Sequence, residues 1–568
     1  MDKGFAEHNT FTADTELFLI DLHRAMIRQN GQVEERWLVK DLGALYFSAM
    51  DVPLTRRDLI RFVTTYSGLN LRDTVAKQGG FWQKVRQRAN KMRLADGAAI
   101  NQTLNPIRSF LQGQKQLNVP FTIQALDQEF ECQKVLRLLP RKRLVVEAKS
   151  EQQHAVIKLF AAAEKGHREL EREHQGYQLT KEAGAVVPEM LFAGDNQQGC
   201  LMIAYQYISN GQTLMQLDEV QRNEQLGVLF DCISKLHAYG IYQDDIHLDN
   251  FLLADNQLYL LDLGSIKKQR PGEGLSERLS LKNLSRLIAQ FSFDDRPLLS
   301  PHLEQYFRSR GSGYNNAAQA HLAKVTHKAW QKRKSNYLKK CFRNCTMTRY
   351  HSSANQQWAF RSDFLDGDTD QFVADIEEIV TAGELLKDGN STTVVRAEVA
   401  GKQVVIKRYN IKNKVHFLRR CLRPTRAAVS WRNANLLAFM GIATAKPLGF
   451  IENRVAGLRQ NAYFICEYTA GEELLSAYQQ RDADEAELEQ LRRLFSYLEQ
   501  AKVSHGDLKA SNFLINDKGK IYLIDLDAMK QHPCQPSFEK ALEKDKRRFM
   551  ANWSGESLKK INASLFNE

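Results

Sequence analysis

No apolar run in the sequence approaches 18 residues, and its start, Met1-Asp2-Lys3-Gly4-Phe5, lacks a basic segment followed by an apolar core. The expectation is a chain neither exported by that route nor membrane-spanning. Cysteine is present but not organised: of eight, only Cys341 and Cys345 lie close together, with three residues rather than two between them. Reduced thiols in a cytosolic protein are the simplest reading. Acid is missing from two long stretches, residues 324–349 and 402–426, each of which carries nine Lys or Arg and no Asp or Glu.

What is there describes folded domains. At 568 residues, 43% hydrophobic and 26% charged, the chain has globular composition, which excludes a disordered tail protein or a fibre. Its length suits three or four units at about 150 residues each. The 79 basic and 67 acidic side chains leave +12, which implies attraction to nucleic acid, a membrane surface or a phosphorylated substrate without choosing among them. Either basic stretch alone reads equally well as a solvated helix face or strand edge, whereas the two together favour an anion-facing surface. The acid-rich residues 482–489 read as an exposed helix start.

A short apolar strand ending in Asp-Leu occurs three times, at Asp21, Asp262 and Asp525. An asparagine precedes each by 12 or 13 residues (Asn9, Asn250, Asn512), and Lys40-Asp41, Lys282-Asn283 and Lys544-Asp545 follow. Three copies with matching flanks indicate repeated domains of roughly 200 to 260 residues. In the middle copy, residues 143–148 and 155–160 read as antiparallel strands, followed by a helix over 164–184. The last copy repeats this with strands at 393–399 and 402–409 and an amphipathic segment at 431–440. The first copy has no room for the strand-rich half, and residues 36–97 read as its distal helical part.

Phosphoryl transfer from ATP needs a cation on the nucleotide phosphates, oxygen ligands for a divalent metal and a carboxylate beside the attacking hydroxyl. The last copy carries Val404-Val405-Ile406-Lys407, then His505-Gly506-Asp507-Leu508-Lys509-Ala510-Ser511-Asn512, then Asp525. This order resembles the protein-kinase-like series of strand lysine, catalytic loop with Asp and Asn five residues apart, and metal-binding Asp. Lys407 then serves the phosphates, Asp507 the substrate hydroxyl proton, and Asn512 with Asp525 the magnesium. The middle copy presents Lys158, then Asp245 and Asn250, then Asp262-Leu263-Gly264. Of the adjacent acids Asp244 and Asp245, the five-residue spacing to Asn250 selects Asp245. Glu173, on the helix after the lysine strand, is the candidate partner of Lys158.

Taken singly these pieces are weak: Val-Ile-Lys is an ordinary edge-strand lysine, and Asp-Leu after a strand is an ordinary turn start. The ordered set, present twice, is what carries the reading. Gly389 and Asn390, in the stretch 387–392 just before the lysine strand, are candidates for cradling phosphate with backbone N–H groups, although the same residues suit a plain hairpin turn. Three departures stand out. No glycine lies between Arg143 and Lys158; Ser430-Trp431 stands where a helix glutamate is expected for Lys407; and Asp527 replaces the glycine kept at Gly264.

Over most of its length the chain resembles the bacterial lipopolysaccharide core kinases, which phosphorylate heptose or Kdo of the inner core. The residues that carry the likeness are Leu19-Ile20-Asp21-Leu22-His23-Arg24-Ala25 with Trp37-Leu38-Val39-Lys40-Asp41-Leu42, then residues 136–143 with Lys158 and Arg172-Glu173, and Val405-Ile406-Lys407-Arg408-Tyr409-Asn410 with Arg423-Pro424-Thr425-Arg426-Ala427 and residues 505–512. The resemblance implies ATP and Mg2+ as cofactors and work at the cytoplasmic, inner face of the inner membrane. It implies as partners the lipopolysaccharide inner-core oligosaccharide on lipid A and the anionic membrane surface, with no specific nucleic acid.

The expected fold is α+β: two tandem bilobal protein-kinase-like domains, each with an antiparallel-sheet N-lobe and a helical C-lobe, preceded by a partial kinase C-lobe. The expected divisions are 1–110 for that partial lobe, 118–330 and 370–568 for the two domains, and 331–369 for a basic linker with helices. The first copy keeps Asn9 and Asp21 but has no lysine strand and no secure base, so it is either a remnant serving as a helical adaptor or the end of a truncated fragment. The expected activity is transfer of the ATP γ-phosphoryl group to an inner-core sugar hydroxyl. The alternatives are a scaffold containing a pseudokinase unit and a phosphotransferase for another small molecule.

Overall fold

The computed structural model describes residues 33–49, 55–104, 106–114, 116–125, 128–195, 200–269, 273–365, 369–411, 421–554, 561 and 565. They divide into two compact units, one running to Leu170 and including Met190–Tyr207, the other made of Glu171–Glu189 and the chain from Ile208 onward. Strands and helices are segregated along the chain, which makes the fold α+β.

The first unit begins with four helices, α1 (Glu35–Ala49), α2 (Arg56–Ser67), α3 (Leu71–Leu104) and α4 (Pro106–Gln112). The ends of α2 follow from local chemistry: Thr55 and Asp58 form a capping box, and Gly68 at φ 63° closes the C-terminus. A six-stranded antiparallel sheet follows, in the order β1-β2-β3-β4-β6-β5, built from β1 (Phe121–Ala125), β2 (Gln128–Leu139), β3 (Arg143–Lys149), β4 (His154–Ala161), β5 (Met190–Asp195) and β6 (Cys200–Gln206). Strands β3 and β4 are the pair expected from the sequence. Ala155, Ile157 and Leu159 point into a core shared with Phe110, Phe130 and Met202. The two-residue period of the strand therefore turns Lys158 to the opposite face, where its Nζ lies 5.5 Å from the Tyr205 ring centroid.

In the second unit one arrangement of small sheets occurs twice. The first instance is β10-β9-β7 with β11-β8, from β7 (Gln212–Thr213), β8 (Ile241–Gln243), β9 (Phe251–Ala254), β10 (Gln257–Leu260) and β11 (Ile266–Lys268). Between and after these come α5 (Leu226–Tyr239), α6 (Glu277–Ile288) and α7 (Asn316–Lys340). A seven-stranded sheet then runs in the order β12-β13-β17-β18-β16-β15-β14, from β12 (Thr348–Ser352), β13 (Gln356–Arg361), β14 (Glu384–Gly389), β15 (Thr392–Val399), β16 (Lys402–Tyr409), β17 (Pro447–Val455) and β18 (Leu458–Glu467). Helix α8 (Arg426–Met440) packs on it through Trp431, which is fully buried.

The second instance of the small sheets comprises β19 (Glu472–Glu473), β20 (Val503–Ser504), β21 (Phe513–Ile515), β22 (Ile521–Leu523) and β23 (Lys530–Gln531), with α9 (Glu485–Ala501) and α10 (Gln535–Met550). Residue 331, an expected boundary, falls inside α7, and the segment expected as a linker supplies β12 and β13 to the large sheet. The acidic start of α9 is not simply exposed. Glu487 is 2% exposed, closes a capping box with Asp484 and binds Arg481 at 2.5 Å. No helix among the described residues is long and apolar enough to cross a membrane.

Candidate active site

In the last copy the strand period again decides the site. Val404 and Ile406 are buried in the sheet core, so Lys407 faces the other way, in register with Val394 and Phe464. Its Nζ meets Asp525 Oδ1 at 2.5 Å, bridging 118 positions of sequence. Asp525 follows β22 in the left-handed backbone region, φ 60°, which an L-residue other than Asn or Asp enters at a cost, and a 3₁₀ turn Leu526–Ala528 comes next. Asp262 repeats this with φ 54° before the turn Leu263–Ser265. Burial acts to raise the Asp525 carboxyl, but the charge and hydrogen bond of Lys407, with His505 and Arg426 nearby, outweigh it and hold the group below the usual carboxylate range.

Asp527 stands 3.9 Å from Lys407 Nζ and is bound by Arg426 at 2.6 Å. Arg426 is the first residue of α8, where the helix dipole disfavours a cation. The Asp527 carboxylate and the Tyr409 ring, 4.8 Å from the guanidinium carbon, offset that placement. The middle copy solves the same position differently. Glu173, 1% exposed on the helix Glu164–Glu182, accepts from the Gly264 N–H at 3.1 Å. A Cβ at Gly264 would stand 2.5 Å from Glu173 Oε2, so a side chain at that position would make the end of the glutamate shift from its present place.

Both catalytic-loop candidates are closed alike: Asn512 Nδ2 donates to the Asp507 carbonyl at 2.7 Å, and Asn250 Nδ2 to the Asp245 carbonyl at 2.9 Å. The Asp507 carboxylate is held by Arg548 at 2.8 Å, with Lys509 at 3.3 Å. Below it Asp545, 1% exposed, accepts from the N–H groups of His505 (2.6 Å) and Gly506 (3.0 Å). In the middle copy Asn283 Nδ2 donates to the Gln243 carbonyl at 2.7 Å, and Arg286 binds Asp244 at 2.9 Å rather than Asp245. The Asp245 side chain is 78% exposed and lies 3.7 Å from His247 Nε2.

Lys158 belongs to the first unit, whereas Glu173, Asp245, Asn250 and Asp262 belong to the second. Gly389 ends β14 opposite Thr392 in a tight hairpin with Asn390 at its turn, and Arg426 reaches Thr392 Oγ1 at 3.4 Å. In the middle copy the corresponding hairpin turn is not between Arg143 and Lys158 but at 140–142, where Arg141 takes φ 60°. Asn9 and Asp21 lie outside the described residues. Sequence reasoning missed Asp545, Arg548, Asn283 and Arg286 as members of the loop. Their signal was present in the repeated flank, since an arginine follows both Asn283 and Asp545 by three residues.

Residues 5–66 and 373–563 match the model of the Lipopolysaccharide kinase (Kdo/WaaP) family. Lys407, Asp507, Asn512, Asp525 and Asp527 all lie within the second, and the middle-copy candidates lie outside both. Among curated proteins, lipopolysaccharide core heptose(I) kinase WaaP of Pseudomonas aeruginosa is 44% identical over 79 residues, 14% of this chain and 29% of that protein. The protein of the same name from Escherichia coli K12 is 37% identical over 92 residues, 16% and 34% of the two chains. The chain thus spans about a third of the length of these relatives. Of solved structures, vaccinia related kinase 3 is similar over 30% of this chain and 58% of that one, with 15% identity and a TM-score of 0.24.

Proposed function

We propose that the last copy, residues 370–568, is an ATP-dependent kinase domain that phosphorylates a heptose or Kdo hydroxyl of the lipopolysaccharide inner core. The observation that carries this is the Lys407–Asp525 contact at 2.5 Å beside a loop in which Asn512 closes on Asp507. Lys407 is the cation for the nucleotide phosphates, and Asp507 accepts the proton of the attacking hydroxyl, oriented by Arg548. The donor set fits magnesium: with its Nδ2 committed to the Asp507 carbonyl, Asn512 keeps Oδ1 for a hard cation, and Asp525 adds a carboxylate. When bound, the metal neutralises charge on the phosphoryl group being transferred.

The basic surface suits an acceptor on anionic lipid at the inner face of the inner membrane. The test is phosphate incorporation from labelled ATP into dephosphorylated core oligosaccharide by the full chain, with Asp525→Asn as control. Incorporation by wild type and its loss in the variant support the reading. Equal incorporation by both sinks it.

A second reading concerns the middle copy, residues 118–330, as a kinase-like unit that scaffolds rather than reacts. The exposure of Asp245 and the diversion of Arg286 to Asp244 favour it. If incorporation survives Asp245→Asn but not Asp507→Asn, the scaffold reading stands, and an equal loss in both refutes it.

A further inference from the structure

A cavity of about 1040 Å³ opens beside α8, lined by Arg432, Arg459, Lys502 and Lys530 together with His327 and His532. Its two carboxylates are already engaged. Glu452 binds Arg454 at 2.8 Å and Arg459 at 3.0 Å, and Asp527 binds Arg426 at 2.6 Å. Arg432, Lys502 and Lys530 have no carboxylate partner among the described residues.

The excess of positive charge continues beneath the surface. Lys334, on α7 next to the lining residue Gln331, is 3% exposed; it donates to Gln331, and burial and Arg432 push its ammonium down to about 8. Arg296 keeps two guanidinium nitrogens, Nε and Nη2, buried without a partner, and burial pushes it down to about 10. Burial, then Lys502, Lys334 and Arg296, depress His327. Cations gathered in a partly buried place repel one another and are costly unless an anion joins them. A flat solvated lysine face would not bury Lys334 or Arg296.

We propose that this cavity binds a phosphate-bearing ligand, its anion held by Arg432, Lys502 and Lys530. Phosphate suits the donors: a guanidinium fork and two ammonium groups offer charge-assisted hydrogen bonds to several oxygens at once. Because Asp527 lines the cavity and also stands beside Lys407, an anion there bears directly on the electrostatics of the kinase site. The binding itself does not depend on the kinase reading. The phosphate belongs either to a membrane-borne lipid or to a soluble compound, and both present the same chemistry to the cavity.

The probe is inorganic pyrophosphate titrated calorimetrically into the full chain. Loss of one charge-assisted contact weakens binding about tenfold, which is the effect expected for both Arg432→Ala and Lys530→Glu, while Lys518→Ala, at an exposed lysine outside the lining, leaves the affinity unchanged. Lys530 is exposed, so its variant keeps the fold even where Arg432→Ala does not. No binding to the wild type overturns the proposal. So does binding lost in Lys407→Ala but retained in both cavity variants, an outcome that leaves the kinase reading standing. Sedimentation with phosphatidic acid vesicles separates the sources: vesicles displaced by pyrophosphate support a membrane-borne phosphate, and pyrophosphate binding without vesicle binding supports a soluble one.

Discussion

Asp527 receives the Arg426 guanidinium at 2.6 Å while standing 3.9 Å from the Lys407 ammonium, so one carboxylate serves two cations from two different elements. In the middle copy the helix supplies the acid, Glu173, and the segment after Asp262 supplies a glycine to receive it. In the last copy the helix supplies a cation and the segment supplies the acid. The polarity is exchanged, and in the last copy Lys407 has the Asp527 carboxylate beside it. Asp527→Asn, which keeps the shape and removes the charge, is expected to raise the nucleotide KM about tenfold with little change in kcat, the loss of one charge-assisted contact. Asp527→Gly should do the same and also leave Arg426 unpaired at the start of a helix. Steady-state kinetics in ATP measure this, and an unchanged KM in both variants would refute the role.

The two loop acids give a comparison within one molecule. Asp507 is fixed by Arg548, whereas Asp245 is largely exposed and its neighbour Asp244 takes Arg286. Removing a positioned general base costs about 10² to 10⁴ in rate. Asp507→Asn is therefore expected to lower phosphate incorporation by that range with little change in unfolding midpoint, and Asp245→Asn by less than about threefold, since a solvated acid without a fixed orientation contributes little. Arg548→Ala should fall between them, through kcat, because it releases Asp507 without removing it.

The fold was readable wherever a local period or a capping residue decided the element. Strands β3, β4, β15 and β16 and the helix after Lys158 stand within a few residues of where the alternation of apolar residues puts them. The Lys407–Asp525 contact was legible because an ordered set of residues implies it. What escaped were relationships between positions. The missing helix glutamate and the extra acid at Asp527 read as two separate departures in the sequence, yet the contact of Glu173 with the Gly264 N–H shows that in the middle copy the two positions are neighbours in space. The hairpin turn before Lys158 lies one strand earlier than the sequence suggests, because nothing local reveals that β2 also belongs to the hairpin. The burial of Lys334 and Glu487 depends on neighbours distant in sequence, which composition does not disclose.

Asp545 is a stability prediction. Its carboxylate receives two backbone N–H groups, His505 and Gly506, at a place from which water is largely excluded. Asp545→Ala strands both donors, and each unsatisfied buried group costs about 1 to 3 kcal/mol, so a loss of roughly 2 to 6 kcal/mol is expected in urea unfolding. Asp545→Asn keeps one acceptor oxygen and should lose about half as much. An alanine variant as stable as the wild type would show that the loop is held by other contacts.

The middle copy should carry a pH dependence of its own. His237 is completely buried, with Tyr306 Oη 2.7 Å from Nδ1 and Asn283 Oδ1 3.0 Å from Nε2. A neutral ring protonated on Nε2 satisfies both: it donates to Asn283 and accepts from the tyrosine hydroxyl, and Asn283 in turn donates to the Gln243 carbonyl. Burial pushes the imidazolium down to about 4, only partly opposed by the Asn283 hydrogen bond. The unfolded chain, at an ordinary histidine value near 6.5, therefore binds the proton first. Stability from this group is complete above about pH 6.5, falls as the pH drops towards 4, and changes no further below that. The total is on the order of 3 kcal/mol. Urea unfolding between pH 7.5 and 4.5 should show that slope in the wild type and a shallower one in His237→Gln, whose amide offers the same donor and acceptor without titrating. Parallel slopes in the two proteins would place the acid sensitivity elsewhere.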